Sequence, residues 1–245
     1  MDVDSKSYCV YLDKSQELDC VCGDEEQSSS GADGDDDEGY TKFTLPSASA
    51  MINNGNASVA SLKLHQCRSA VEVELDLRPL ERPFYRLRVE DVEDNVKVEG
   101  VTLLAGDVVD LWFRNVNGTL RISGDVTCDD CDGNNNLTKP RLMVHIVDVG
   151  SVELDNLMVG GDVEAKIKVR NVAGALRVRD SYFKSLPRDG LEVFNVAGGV
   201  EVRHSEFHDT TEGSVLLNGV RKVRSFHHVG LLGVSGKIQW ALRIS

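Results

Sequence analysis

Aromatic side chains are scarce in this chain, at 6% of 245 residues, while Val, Leu and Gly are plentiful. That deficit is unusual for a helical enzyme core and ordinary for stacked short strands. No run of 18 apolar residues exists, which excludes a transmembrane helix. A basic field is missing too. The net charge is −13, and residues 1–50 concentrate it with 13 acidic and three basic side chains. Neither part of the chain offers the positive potential that nucleic acid or an anionic membrane requires, so neither is expected as a partner. Finally, no apolar leader follows Met1. An extracellular reading therefore needs a signal peptide, and any membrane anchor, supplied outside this chain.

What the chain does have is a repeat. The stretch Lys168–Val178 recurs as Glu192–Val202, with Lys168 aligned to Glu192 and Val178 to Val202. The same frame runs through the chain. One apolar column reads Leu64, Val89, Phe113, Ile146, Val169, Val193, Leu216; a second reads Val71, Val96, Leu120, Val152, Leu176, Val200, Val223. Between them lies a polar column, Gln66, Asp91, Asn115, Asp148, Asn171, Asn195 and Asn218. Its spacing is nearly regular and is broken once, by a longer step from Asn115 to Asp148. The extra residues fall in 127–140, which reads as a loop inserted at a corner, a place where insertions leave a stack intact.

Within each unit the apolar positions alternate, as in Leu191-x-Val193 and Val200-x-Val202. Period two marks strands with one buried face. A third apolar position follows, at Leu103, Val159, Phe183 and Phe207. Three inward segments in each repeat predict a three-sided coil, and one coil cannot bury its apolar side alone. The fold expected is all-β: a parallel β-solenoid of about seven coils, with a period of about 24 residues. Residues 61–245 form the solenoid, and 1–60 form an acidic, partly disordered segment with a possible cap.

The motif Val-x-Asn-Val-x-Gly-x-Leu/Val-x-Val-x-x-Ser-x-Phe at 167–183 and 191–207 resembles the right-handed parallel β-helix of the pectin-lyase-like families. A weaker resemblance is to leucine-rich repeats, through Ala173-x-x-Leu176-x-Val178-x-x-Ser181-x-Phe183. The returning segment Leu191–Asn195 alternates with period two, where a leucine-rich repeat carries a helical turn, so the β-helix is preferred. The first resemblance implies fold more than function, because β-helices host lyases, hydrolases, adhesins and structural proteins. The Asn-Thr-Asp and Gly-His-Gly motifs of pectin-degrading hydrolases are missing.

The N-terminal segment holds one strand-like stretch, Tyr8–Leu12, and an acidic run, Asp24–Gly39, too polar to offset the entropy of its own ordering. Six cysteines are disulfide candidates: Cys9, Cys20, Cys22, Cys67, Cys128 and Cys131. Cys9 to Cys22, tied to Cys67, would supply a cap over the first coil; Cys128 and Cys131 would staple the inserted loop. Three sequons, at Asn56, Asn117 and Asn136, are glycosylation candidates and hint at the secretory pathway.

Candidate chemistry is thin. Asp129, Asp130 and Asp132 cluster in the inserted loop, away from any strand face, and Cys128-x-x-Cys131 is half of a zinc site. Neither a metal nor a cofactor is expected. Asn115, Asn171, Asn195 and Asn218 read as a structural ladder rather than a binding row, since Asn and Asp tolerate left-handed corners. Trp112 precedes inward Phe113, so alternation points it outward beside Arg114; burial under the inserted loop is the alternative. Trp112, Arg114, Asp129 and Asp130 are the candidate binding residues. The function expected is a non-catalytic extracellular or cell-surface recognition or scaffold protein that binds protein or glycan. The alternatives are a β-helix carbohydrate-active enzyme, whether lyase or hydrolase, and an intracellular structural solenoid.

Overall fold

The computed structural model describes residues 8–12, 17–22, 40–45, 61–76, 86–129, 139–160, 162–184, 186–187, 190–208, 215–220, 222–227 and 230–232. Among these every regular element is a strand. In chain order they are β1 (Tyr8–Leu12), β2 (Glu17–Val21), β3 (Thr41–Leu45), β4 (Ser61–Cys67), β5 (Val71–Asp76), β6 (Arg86–Val92), β7 (Val96–Leu104), β8 (Val108–Asp129) and β9 (Arg141–Val159). The series continues with β10 (Glu164–Val172), β11 (Ala175–Arg179), β12 (Tyr182–Lys184), β13 (Leu191–Val196), β14 (Gly199–Arg203), β15 (Glu206–His208), β16 (Val215–Val220), β17 (Val223–His227) and β18 (Gly230–Leu232). β8 and β9 run unbroken around two corners each.

The strands form a parallel β-solenoid with a period of about 24 residues, the separation of Asn171 from Asn195. On its first side β2, β4, β6, β8, β9, β10, β13 and β16 pair in succession, all parallel. The second side stacks β3, β5, β7, β8, β9, β11, β14 and β17. The third side runs from the end of β7 through β8, β9, β12 and β15 to β18. Each rung pairs with the rung above and below at about 4.8 Å, so the backbone groups of the paired strands find partners in the neighbouring coils. The period-two return segment is a strand in every unit, as the β-helix reading requires and a helical turn would not allow.

The stack has about five complete turns rather than the seven expected. Five turns, from Arg86–Leu104 to Leu191–His208, have three sides with described side chains. Ser61–Asp76 contributes two sides, and in 215–232 the side chains of two sides lie outside the described residues.

Alternation explains the core. In β4, β6 and β10 every second side chain is buried. These inward positions stack into columns, one of which runs Leu64, Val89, Phe113, Ile146, Val169, Val193 and then Leu217. Leu216, placed there by the sequence frame, faces outward instead. The third-side column is Val101, Val126, Val159, Phe183, Phe207; Leu103 lies beside Cys128 one column over. The register shift between Glu99 and Val101 causes that difference. Phe183 and Phe207 stack at 5.0 Å between centroids. Full burial of each such side chain is worth about 1.5–3 kcal/mol, so the columns are the main source of stability.

Two kinds of corner turn the chain. Between the first and second sides sit Gln66, Asp91, Asn115, Asp148, Asn171 and Asn195, with φ between 54° and 58°. Asn171 donates to Asp148 (2.9 Å), Asn195 to Asn171 (3.1 Å) and Asn115 to Asp91 (2.8 Å). Asn218 is not in this row. The register pairs it with Phe194 and sets Gly219, φ 66°, opposite Asn195. A glycine adopts a positive φ without a side-chain penalty, and that displaces the sequence frame by one residue. The second corner carries Gly100, Gly124, Asn156, Asp180 and His204, again at positive φ. Behind it, the motif's serines are buried. Ser181 Oγ accepts from Leu157 N–H (3.1 Å) and lies 2.7 Å from Arg179 O; Ser205 Oγ accepts from Ser181 N–H (3.3 Å).

At the lower end β1 pairs antiparallel with β2, which in turn stacks on β4. β2 is a rung of the solenoid that the sequence pattern does not reveal. Cys22 and Cys67 form a disulfide across 45 residues, both side chains buried. Cys20 and Cys128 are disulfide-bonded as well, with partners outside the described side chains. Cys9 lies opposite Cys20 across β1 and β2. Residues 23–39, the acidic run, and 130–138, most of the inserted loop with Asp130, Cys131 and Asn136, lie outside the described residues, as does Asn56. The strand β8 continues through 127–129, the first three residues assigned to that loop.

Candidate functional site

The outward positions of each side follow from the same alternation, and the sides differ in what they present. On the second side the outward charges are paired from coil to coil. Lys97 lies 3.3 Å from Glu72 and 2.8 Å from Glu99, and Lys42 lies 3.4 Å from Glu74. The hydrogen bond from Lys97 holds the Glu99 carboxyl below its ordinary value, and the same bond raises Lys97. Further along, Arg121 pairs with Asp155, and Arg177 with Glu153 at 2.7 Å. Glu201, only 6% exposed, is surrounded by Arg177, Arg179 and Arg203. The exposed pairs among these contribute up to about 1 kcal/mol each, and the set as a whole leaves little uncompensated field.

The first side is built differently. Its central outward row pairs Arg88 with Trp112, Trp112 with His145, and His145 with Lys168. Flanking rows place Asp110, Met143 and Lys166 on one flank and Arg114, Val147, Arg170 and Phe194 on the other. Trp112 points outward and is half-buried. Its ring stacks on that of His145, with centroids 4.0 Å apart and planes 11° from parallel. Arg170 lies over the Phe194 ring at 5.4 Å. Burial pushes the His145 pKa below its ordinary value, and the positive charges of Lys168, Arg170 and Arg86 act in the same direction against Asp110.

Ion pairing on this side is incomplete. Arg86 reaches Asp110 at 3.5 Å and Lys168 reaches Glu192 at 3.3 Å. Arg88, Arg114 and Lys166 make no ion pair among the described residues.

Of the residues singled out from the sequence, the structure brings Trp112 and Arg114 together on this face. Asp129 ends β8 on the third side and is not part of it. Asn117 is exposed at the corner between the first and second sides. Sequence reasoning misses His145, Arg88, Lys166 and Arg170. The signal exists in the repeat frame, since aligning the outward positions sets Arg88 and His145 in the row of Trp112 and Lys166 and Arg170 in the rows beside it, but the long step across the insertion obscures it. Among the described residues no group of His, Cys, Asp or Glu is arranged to hold a metal ion, and no helix is long and apolar enough to cross a membrane. Comparison with protein-family models, curated proteins and solved structures finds no match.

Proposed function

We propose that this chain is a non-catalytic recognition or scaffold protein of the extracellular space or cell surface, binding protein or glycan through the flat sides of its solenoid. The observation that carries the reading is the contrast between two sides of one rigid stack. The second side neutralises its own charges coil by coil. The first side leaves cations uncompensated around a half-buried Trp112, and Trp and Arg are the residues most enriched where binding energy concentrates. A catalytic β-helix needs clustered carboxylates facing a substrate; the carboxylates of the second side are instead engaged with Arg and Lys. The buried Cys22–Cys67 disulfide is compatible with an oxidising compartment, and exposed Asn117 would be available to glycosylation there.

The test is to secrete the chain from animal cells behind an added signal peptide and measure its intact mass, with and without reduction and deglycosylation. Efficient secretion, occupied sequons and no reactive thiols are expected. Retention in the cell with bare sequons and reactive, unpaired cysteines would replace this reading with an intracellular structural solenoid. Turnover of acidic or neutral polysaccharides by the purified chain would replace it with an enzyme.

A further inference from the structure

The recognition reading leaves protein and glycan open as partners; the chemistry of the first side narrows the choice. Two features matter first. Arg86, Arg88, Arg114, Lys166, Lys168 and Arg170 stand there against Glu90, Asp110 and Glu192, with Asp91 and Asp148 at the adjoining corner and Glu164 paired with Arg141 at the opposite edge. This is a positive strip on a chain whose net charge is −13. Within it lies an apolar centre, Trp112, Met143, His145 and Val147, two adjacent rungs of the stack. An aromatic centre with a charged rim is the anatomy of a protein interface, where Trp, Met and Arg are enriched. The strip spans about 19 Å over four rung steps and about 13 Å along each strand. That is the extent of an energetic centre rather than of a whole interface.

The orientation of the rings decides among polyanionic and acidic partners. Trp112 and His145 stack face to face along the solenoid axis, so their broad faces are turned towards each other and their edges towards solvent. Nucleotide bases are recognised by stacking on an open aromatic face; here the inner faces cover each other, and the outer faces turn along the axis to the rungs of Arg88 and Lys168 rather than to solvent. What the strip offers outward is ring edges, aliphatic surface and guanidinium groups. Guanidinium groups take carboxylates in bidentate geometry.

We infer that the first side, centred on Trp112 and His145, is a docking surface for a protein partner that presents an acidic segment, with carboxylates set around one or two apolar side chains. This rests on the recognition reading and gives it a side and a partner. Arg114 and Arg170, two rungs apart in one row, would hold carboxylates about 9.6 Å apart. Trp112 is the anchor between them and Arg88.

The test uses the secreted, disulfide-intact full chain to select binders from a displayed random peptide library. Selection is followed by affinity titration of the enriched peptides, of heparin and of oligo(dT). The expected result is enrichment of peptides with Asp or Glu flanking apolar residues. Their affinity should fall tenfold or more with Trp112→Ala and with Arg114→Glu/Arg170→Glu, weaken with salt, and stay unchanged with Arg121→Glu on the second side. All four substituted residues point outward, and an unchanged melting transition verifies that each variant folds. Enriched peptides without acidic bias, or acidic peptides lost with Arg121→Glu instead, overturn the inference while leaving the recognition reading standing. Tight binding of heparin or oligo(dT) abolished by Trp112→Ala overturns the protein partner in favour of a glycan or nucleic acid. Failure to bind any probe, by wild type and variants alike, overturns the inference and the recognition reading together.

Discussion

Asn195 shows how one side chain serves both backbone and stack. Its φ of 58° is left-handed, a conformation that costs most L-residues about 1–2 kcal/mol. Its amide donates to Asn171 Oδ1 one coil below. Two substitutions separate these roles. Asn195→Ala loses the hydrogen bond and meets the backbone penalty, for an expected destabilisation of about 2–3 kcal/mol. Asn195→Gly loses only the hydrogen bond, since glycine accepts a positive φ, and is expected to cost about 1 kcal/mol. Urea titration of the two variants checks the difference. Equal losses would place the whole effect in the side-chain ladder, and an unchanged midpoint for Asn195→Ala would remove the ladder from the account. The exposure of the pair argues for the lower end of each range.

At the scale of the element, the motif Val-x-Asn-Val-x-Gly needs its glycine for a reason that spacing alone does not reveal. Gly118, Gly150, Gly174 and Gly198 pack coil on coil, with Gly174 N–H donating to Gly150 O at 2.6 Å and Gly198 N–H to Gly174 O at 2.7 Å. A Cβ on Gly198 would lie 2.5 Å from the Gly174 carbonyl carbon and oxygen, both backbone atoms that cannot move aside without shifting a coil. Gly198→Ala is therefore expected to destabilise by about 1–3 kcal/mol through overpacking, although alanine is apolar and small. The neighbouring Ala197→Ser, exposed on the same turn, is the control and should leave the thermal transition within a degree or two. If both variants melt like wild type, the coils at this corner are more loosely spaced than the hydrogen bonds indicate.

The elements also mark what sequence can and cannot say. Apolar alternation in Leu191–Val196 and Gly199–Arg203, with Asn between, specifies strand, corner and strand, because period two and left-handed tolerance are local properties. The parallel stack follows because those units repeat. β2 is different: its five residues carry one clear alternation beside a strongly acidic run, and pairing with β1 on one side and β4 on the other makes it a strand. The second corner is illegible because Gly124, Asn156, Asp180 and His204 share a backbone angle and no residue type. The candidate site is half legible. Trp112 and Arg114 adjoin in sequence, whereas His145 meets Trp112 only through register across an insertion.

For the whole molecule the question is how far one bond's effect travels. Cys22–Cys67 joins the N-terminal rung to the first coil, and Cys67 heads the inward column continued by Val92, Val116, Val149, Val172, Val196 and Val220. Closing a loop of 45 residues removes unfolded-state entropy worth about 4 kcal/mol in the chain-entropy account. In a globular domain that loss would lower the stability of every part. In a solenoid each coil contacts only its neighbours, and stability is a sum of local terms. The double variant Cys22→Ala/Cys67→Ala should therefore release β1, β2 and β3 while coils from β8 to β15 keep their protection. Hydrogen exchange read by mass spectrometry distinguishes the cases. Selective loss of protection in β1, β2 and β3 is expected, fading by β6. Uniform loss across the stack would mean that the end rung nucleates the whole fold, and the first side's docking strip would then depend on a disulfide three rungs away from Trp112.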